Sequence, residues 1–439
     1  MRISLEEISP VKKKLFVEID SSEVDKKINE AYKELKKMAK VPGFRQGKAP
    51  RTILERHYGA QVVEDVTRTL ISDSFPKALE EAETFSLGAP LLEKETLKKG
   101  ENFKYSAVME VRPQFEVDNY LELEVKKEKM SVKEEDLQDQ LDQIRNNYGK
   151  LTSILQERPV RKDDYVALDY EGFEGEKPME EIKASNFLLV VGKNDFHPKF
   201  EEALIGRKKG SSTEIMVEFE DSYYHAKLAG KKVNFKVKII DIKKMILPEL
   251  NDEFAKTLGT DFDGLDDLKD KIREAKTTQE EKRINGELKQ RIIQKITEDV
   301  DIEIPQVLVQ SELDFAVENA KQTFLRSGSS LEKAGISEER LKNDFRPASE
   351  KRVKEMIVLG EIAKKEKIEV DEDDITEGFK ELASATGQDV ESIRKYYEAG
   401  NIAGSFKEKL LEEKTLSYLV DHSKIIEVEK TELNQTDSN

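Results

Sequence analysis

The sequence predicts a multi-domain α+β protein, with an N-terminal α+β domain, a central β-rich domain and an elongated all-α C-terminal region. Three observations carry this reading. At 439 residues the chain is too long for one core, and length alone points to about two to four domains. The hydrophobic period changes twice, from mixed to alternating beyond Pro159 and from alternating to helical beyond Pro248. The composition is 38% charged and 37% hydrophobic with no Trp, which is rich in charge for a globule and predicts large solvated faces.

In chain order, Val11, Leu15, Val17 and Ile19 alternate well enough for a strand, and Ser21-Ser22 ahead of Glu23 marks a helix start. Val24, Ile28, Ala31, Leu35 and Met38 recur every three or four residues, giving a helix with one apolar stripe that ends at Pro42-Gly43. Ile53, Leu54, Tyr58, Val62, Val63, Val66, Leu70 and Ile71 describe one or two further helices, interrupted at Gly59 and stopped near Pro76. Phe103, Tyr105, Ala107 and Met109 form a strand that ends at Pro113. Residues 1–112 are therefore an α+β domain whose terminal strands can pair.

Residues 113–160 read as a connector packing with the C-terminal domain, made of a strand-like piece (Leu121, Leu123, Val125) and a charged helix (Leu137, Leu141, Ile144, Tyr148). The β-rich domain spans 161–246, with Val166, Leu168 and Tyr170 alternating and β-branched runs at Ile215 to Val217 and Phe235 to Ile242. Residues 247–428 are helical in period. Pro305 precedes Val307, Leu308, Leu313 and Val317, Asp373 or Asp374 opens a helix with Ile375 and Phe379, and Leu410, Leu411, Leu416 and Leu419 close the series. Residues 429–439 are polar and read as a disordered tail.

A net charge of -17 argues against a general nucleic-acid binder. Between Lys33 and Arg56, however, eight basic side chains face only Glu34 and Glu55, a local excess of six. The absence of Cys removes thiol chemistry and fits a reducing compartment. The four histidines are scattered, so no metal or other cofactor is expected. Met1 to Pro10 leads into no apolar signal region, and the longest apolar run, Phe187 to Val191, is far short of a membrane span. The expectation is a cytoplasmic protein with no membrane contact. Asp261-Phe262-Asp263-Gly264 and Asp371-Glu372-Asp373-Asp374 read as acidic helix starts in preference to cation loops.

Val41-Pro42-Gly43-Phe44-Arg45-Gln46-Gly47-Lys48-Ala49-Pro50 sits between two amphipathic helices with no apolar period to bury Phe44, Arg45 or Lys48. Prolines stiffen its ends and glycines permit bends within it. Its glycines are one residue too close for a phosphate-binding loop and Ala49 stands where Ser or Thr is required, so no nucleotide partner is expected. From the residues alone this is either a docking tip or a stiff turn with Phe44 folded back. The helix-Val-Pro-Gly-Phe-Arg-x-Gly-Lys-x-Pro-helix arrangement, followed by a β-rich insert and a helical tail, resembles the trigger factor family of bacterial ribosome-associated chaperones. The resemblance covers essentially the whole chain. It implies ribosome docking beside the polypeptide exit tunnel through Gly43, Phe44, Arg45, Gly47, Lys48 and Pro50, on ribosomal protein or rRNA phosphates. Gln46 stands where that family often carries a basic residue, which shifts charge-dependent affinity to Lys40, Lys48 or Arg51.

The β-rich domain is similar to the FKBP-type prolyl isomerases in Leu168-Asp169-Tyr170-x-Gly172, Phe187-x-x-x-Val191-Gly192, Phe200-Glu201-x-Ala203-Leu204 and Phe235-x-Val237. That similarity implies a peptidyl-prolyl isomerase pocket lined by Tyr170, Met179, Phe187, Val191, Phe200, Tyr223 and Phe235. His197 and Lys199 stand where those enzymes carry an apolar residue and a Gly. On the residues alone the same aromatics read as the core of a small sheet. The family reading implies an ATP-independent chaperone that holds nascent polypeptides and isomerises X-Pro bonds, with a homodimer as one arrangement off the ribosome. Two alternatives use the same features, a free prolyl isomerase without ribosome docking and a non-catalytic ribosome- or RNA-binding assembly factor.

Overall fold

The computed structural model describes residues 1–221, 223, 225, 227–259, 262–400 and 403–436. Asp261 of the first acidic stretch and the last three residues of the expected tail lie outside them. The chain forms two compact units, residues 1–129 with 284–439, and residues 130–283.

The first unit opens with β1 (Arg2–Ser9), β2 (Lys12–Ile19), α1 (Ser21–Met38), α2 (Arg51–Glu81), β3 (Leu91–Lys94), β4 (Phe103–Glu110) and β5 (Glu124–Glu128). Four strands make an antiparallel sheet in the order β1-β2-β4-β3, and the expected terminal strands do pair, Leu15 opposite Ala107 and Val17 opposite Tyr105. Alternation turns Leu15, Val17, Ile19, Phe103, Tyr105 and Met109 to one face. Val24, Ile28 and Tyr32 of α1 and Leu54, Val62, Val66 and Leu70 of α2 cover that face. The helix after the loop is one element, where the sequence reading has it interrupted at Gly59 and stopped near Pro76. Pro76 is exposed, as is Ser72 one turn earlier, so the carbonyl deprived of a donor faces water.

The second unit holds α3 (Glu134–Asn147), β6 (Lys150–Ser153), β7 (Tyr165–Glu174), β8 (Lys177–Val190), α4 (Pro198–Leu204), β9 (Ser212–Glu218), β10 (Lys232–Ile246), α5 (Asp252–Leu258) and the first half of α6 (Leu265–Glu298). Strand β10 organises the sheet. It pairs with β7 along one edge and with β9 and then β6 along the other, all antiparallel. β8 continues beyond β7, and α4 lays Phe200 and Leu204 into the resulting core with Leu168, Val217 and Phe235. α3 packs Leu137 and Leu141 against Ala255, Leu268 and Ile272.

The rest of the first unit comprises the second half of α6, then α7 (Gln306–Arg326), α8 (Glu338–Glu366), α9 (Glu372–Thr386), α10 (Val390–Ala399), α11 (Ala403–Asp421), β11 (Lys424–Val428) and α12 (Lys430–Thr436). Asp371 caps α9, accepting from the Asp373 and Asp374 backbone N–H groups at 2.9 Å. The helix therefore opens at Glu372, one residue before the earlier of the expected starts. β11 pairs in parallel with β5, Ile425 opposite Val125, and this strand interrupts a stretch that reads as wholly helical. Val117, Tyr120 and Val125 from the chain before α3 enter one core with Leu288, Ile292, Val358 and Leu419. Residues 430–436, expected to be unstructured, form α12 with Leu433 buried.

Candidate functional site

The loop between α1 and α2 is built from two successive turns. The Phe44 N–H donates to the Val41 carbonyl at 3.1 Å, and the Lys48 N–H to the Arg45 carbonyl at 2.9 Å. The third residue of each turn is a glycine at positive φ, 83° at Gly43 and 82° at Gly47. Positive φ there alone, with an i to i+3 bond, defines type II geometry, and Pro42 pre-sets the second position of the first turn. Val41 and Ala49 are buried in the core under α1 and α2 and fasten the base of the loop. Between them Phe44, 42% exposed, stands in solvent together with Arg45 and Lys48. Phe44 is thus not folded back onto the helices.

Charge in the loop is divided between structure and display. Arg51 lies over the Tyr32 ring at 4.9 Å and pairs with Glu55 at 2.7 Å, so it is held in place. Gln46 donates from its side-chain amide to the Lys37 carbonyl at 3.2 Å, tying the loop to the end of α1. Among the described residues Lys40, Arg45 and Lys48 take part in no ion pair, and they carry the available charge. Of the expected docking set, Phe44, Arg45 and Lys48 share the tip. Gly43 and Gly47 shape it, and Pro50 caps α2.

In the second unit the predicted aromatics do converge. Phe200 and Phe235 are fully buried and 5.3 Å apart between ring centroids. Tyr170 meets Phe187, Phe200 and Phe235 edge-on at 5.5, 6.3 and 5.9 Å. Met179, Phe187 and Tyr223 pack partly buried against the same core. The result is an aromatic cluster in which Phe200 and Phe235 are closed off while Tyr170, Met179, Phe187 and Tyr223 keep part of their surface. Val191 is fully enclosed beneath it and offers no surface.

Phe196, which periodicity does not single out, lies at the middle of this cluster. Its ring centroid is 4.7 Å from Phe200, 5.5 Å from Phe235, 5.7 Å from Tyr170 and 6.2 Å from Phe187. Phe196 is a loop aromatic without an apolar period, the same signal that marks Phe44. Phe219, 4.6 Å from Tyr223 and 5.2 Å from His197, is a second aromatic outside the expected set, although it continues the Ile215 and Val217 alternation one residue past β9. His197 caps α4, its Nδ1 accepting the Lys199 N–H at 3.2 Å. Burial, with Lys199 adding repulsion, pulls its imidazole below the ordinary value. It is a neutral rim group near pH 7.

The family description "Bacterial trigger factor protein (TF)" matches residues 1–144, its C-terminal counterpart matches 264–421, and "FKBP-type peptidyl-prolyl cis-trans isomerase" matches 156–240. A trigger factor of Geotalea daltonii is 37% identical over 436 residues, covering 99% of this chain and 100% of that protein. The chain belongs to the trigger factor family. A trigger factor of Geobacter sp. strain M21 is 36% identical over 434 residues, and one of Geobacillus sp. strain WCH70 is 34% identical over 416. One solved structure, from work on promiscuous substrate recognition in folding and assembly activities of the trigger factor chaperone, matches with a TM-score of 0.50 at 21% identity. It covers 96% of this chain and 99% of that one, a likeness of fold. The expected multi-domain α+β class is that of the trigger factors, with an FKBP-type domain between the N- and C-terminal parts.

Proposed function

We propose that this trigger factor docks on the ribosome beside the exit tunnel, holds nascent polypeptides there without ATP, and catalyses cis/trans isomerisation of X-Pro bonds in the cytoplasm. In this reading residues 1–112 dock, 161–246 isomerise, 247–428 hold clients and 113–160 connect. The observation that carries docking is the twin-turn loop, which presents Phe44, Arg45 and Lys48 to solvent while Arg51 and Gln46 are used to hold it. Guanidinium and ammonium groups match phosphate or carboxylate partners, and Phe44 supplies an apolar or stacking anchor. Simultaneous replacement of Phe44, Arg45 and Lys48 by Ala should lower ribosome cosedimentation by at least about tenfold with the fold intact. Unchanged binding sinks the docking assignment.

The isomerase reading rests on the aromatic cluster. Rotation about the X-Pro bond passes through a twisted amide that has lost resonance and is less polar than the planar ground state. A dry surface of Tyr170, Phe187, Phe200 and Phe235 favours that state by contact alone, with no proton transfer, while the Phe196 and Tyr223 walls grip the proline ring in both states. Phe187→Ala removes a partly buried wall outside the fully buried core. Its expected cost is about tenfold in kcat/KM on a Leu-Pro peptide. A wild-type rate from this variant would leave the ring a purely structural group.

A further inference from the structure

Glu201 is a carboxylate inside an aromatic core, 1% exposed, on the inward face of α4 next to Phe200. It has no cation partner within ion-pair distance among the described residues. Its charge is met by backbone amides instead. Oε2 accepts from the Gly192 N–H at 2.8 Å and the Asn194 N–H at 2.9 Å, and Oε1 accepts from the Phe196 N–H at 3.2 Å. Three N–H groups from alternate residues can face one point only if the intervening backbone turns sharply. Gly192 and Asn194 both adopt positive φ, 93° and 62°, and so form a concave nest around the carboxylate. A buried charge held by three oriented dipoles is rigid, since any loop movement leaves it unpaired.

That nest ends at Phe196, the ring at the centre of the cluster. The Phe196 carbonyl in turn accepts the Tyr223 hydroxyl at 2.6 Å, so the same short loop also fixes a second wall ring. Resting on the isomerase reading above, we propose that Glu201 is a positioning residue of the prolyl site, an internal anion that folds residues 192–196 and thereby sets the Phe196 and Tyr223 walls. It touches no substrate. Its effect passes through the loop, and walls that contact the proline ring equally in ground and twisted states govern binding more than turnover.

The test uses the full-length chain with Glu201→Gln and Glu201→Ala, a tetrapeptide with one Leu-Pro bond, and amide exchange at residues 192–196. Gln keeps one acceptor oxygen but opposes an NH2 group to a backbone donor, so it should lie between wild type and Ala. The expected result is a KM raised about tenfold in Glu201→Gln, with kcat within about twofold of wild type and faster exchange at Gly192, Asn194 and Phe196. A lower kcat at unchanged KM would mean only that less enzyme is folded, and overturns the positioning role. Wild-type KM and kcat together with loosened amides would overturn it as well. An inactive wild-type chain removes the isomerase reading itself, and this role falls with it.

Discussion

Asp164 shows how much a single carboxylate does at the start of the β-rich unit. It is 5% exposed and takes both arms of Arg158 at 2.6 Å each, plus the Arg161 N–H at 2.8 Å. Burial pushes its carboxyl up, but the Arg158 fork and the Arg161 N–H outweigh burial and hold it below the ordinary value. A folded-state value below the unfolded value of about 3.9 means that the ion pair stabilises fully above that pH and is lost as pH falls through the lowered value. Asp164→Asn should therefore cost roughly 2 kcal/mol in urea unfolding at pH 7 and clearly less near pH 2. An equal loss at both pH values would remove the charge from the explanation. At this scale the sequence is a good guide to which aromatics cluster and a poor guide to what packs among them. Tyr170, Phe187, Phe200 and Phe235 sit on strands or a helix with a readable period. Phe196 and Glu201 meet through a loop whose backbone directions no periodicity encodes.

The loop between α1 and α2 is the element whose geometry follows most directly from its residues, because two prolines and two glycines leave few conformations open. A Cβ added at Gly43 or Gly47 would meet nothing within 4 Å, so the only cost of Ala there is the left-handed backbone itself. That cost is about 1 kcal/mol per site, and the double Ala variant should weaken cosedimentation about thirtyfold with unchanged circular dichroism. Full binding by that variant would show that the turns need not be preformed. Other elements were legible only in part. α2 runs through Gly59 and Pro76 because exposure, which a one-dimensional pattern does not report, decides whether a lost backbone bond matters. β11 escaped the helical reading because its five residues find their partner in β5, about 300 positions earlier. No local propensity carries such a pairing.

Across the whole molecule, a net charge of -17 coexists with the basic excess between Lys33 and Arg56. On the proposed docking, the acidic remainder would repel a polyanionic ribosome surface and the loop would supply the local attraction. If Arg45 and Lys48 meet rRNA phosphates, raising monovalent salt from about 50 to 200 mM should weaken binding about tenfold, and Gln46→Lys should tighten it and steepen that dependence. Salt-independent binding would place the affinity on Phe44 alone. Family membership and the multi-domain class could be read from the chain because its motifs are local. The division into units could not be read as easily, since the first unit is built from two separated stretches.

That discontinuity bears on how the protein itself is made. The core around Val117, Tyr120 and Val125 closes only when Leu288, Val358 and Leu419 arrive, and the β5 edge stays bare until Lys424–Val428 pairs with it. At about 5–20 residues per second, the segment carrying β5 waits roughly 15–60 s after its own synthesis for that final strand. Contacts of such sequence separation also form slowly once both halves exist. A protein of a folding-helper family thus carries, for most of its own translation, an open apolar surface and an unpaired strand of the kind that draws helpers to other nascent chains.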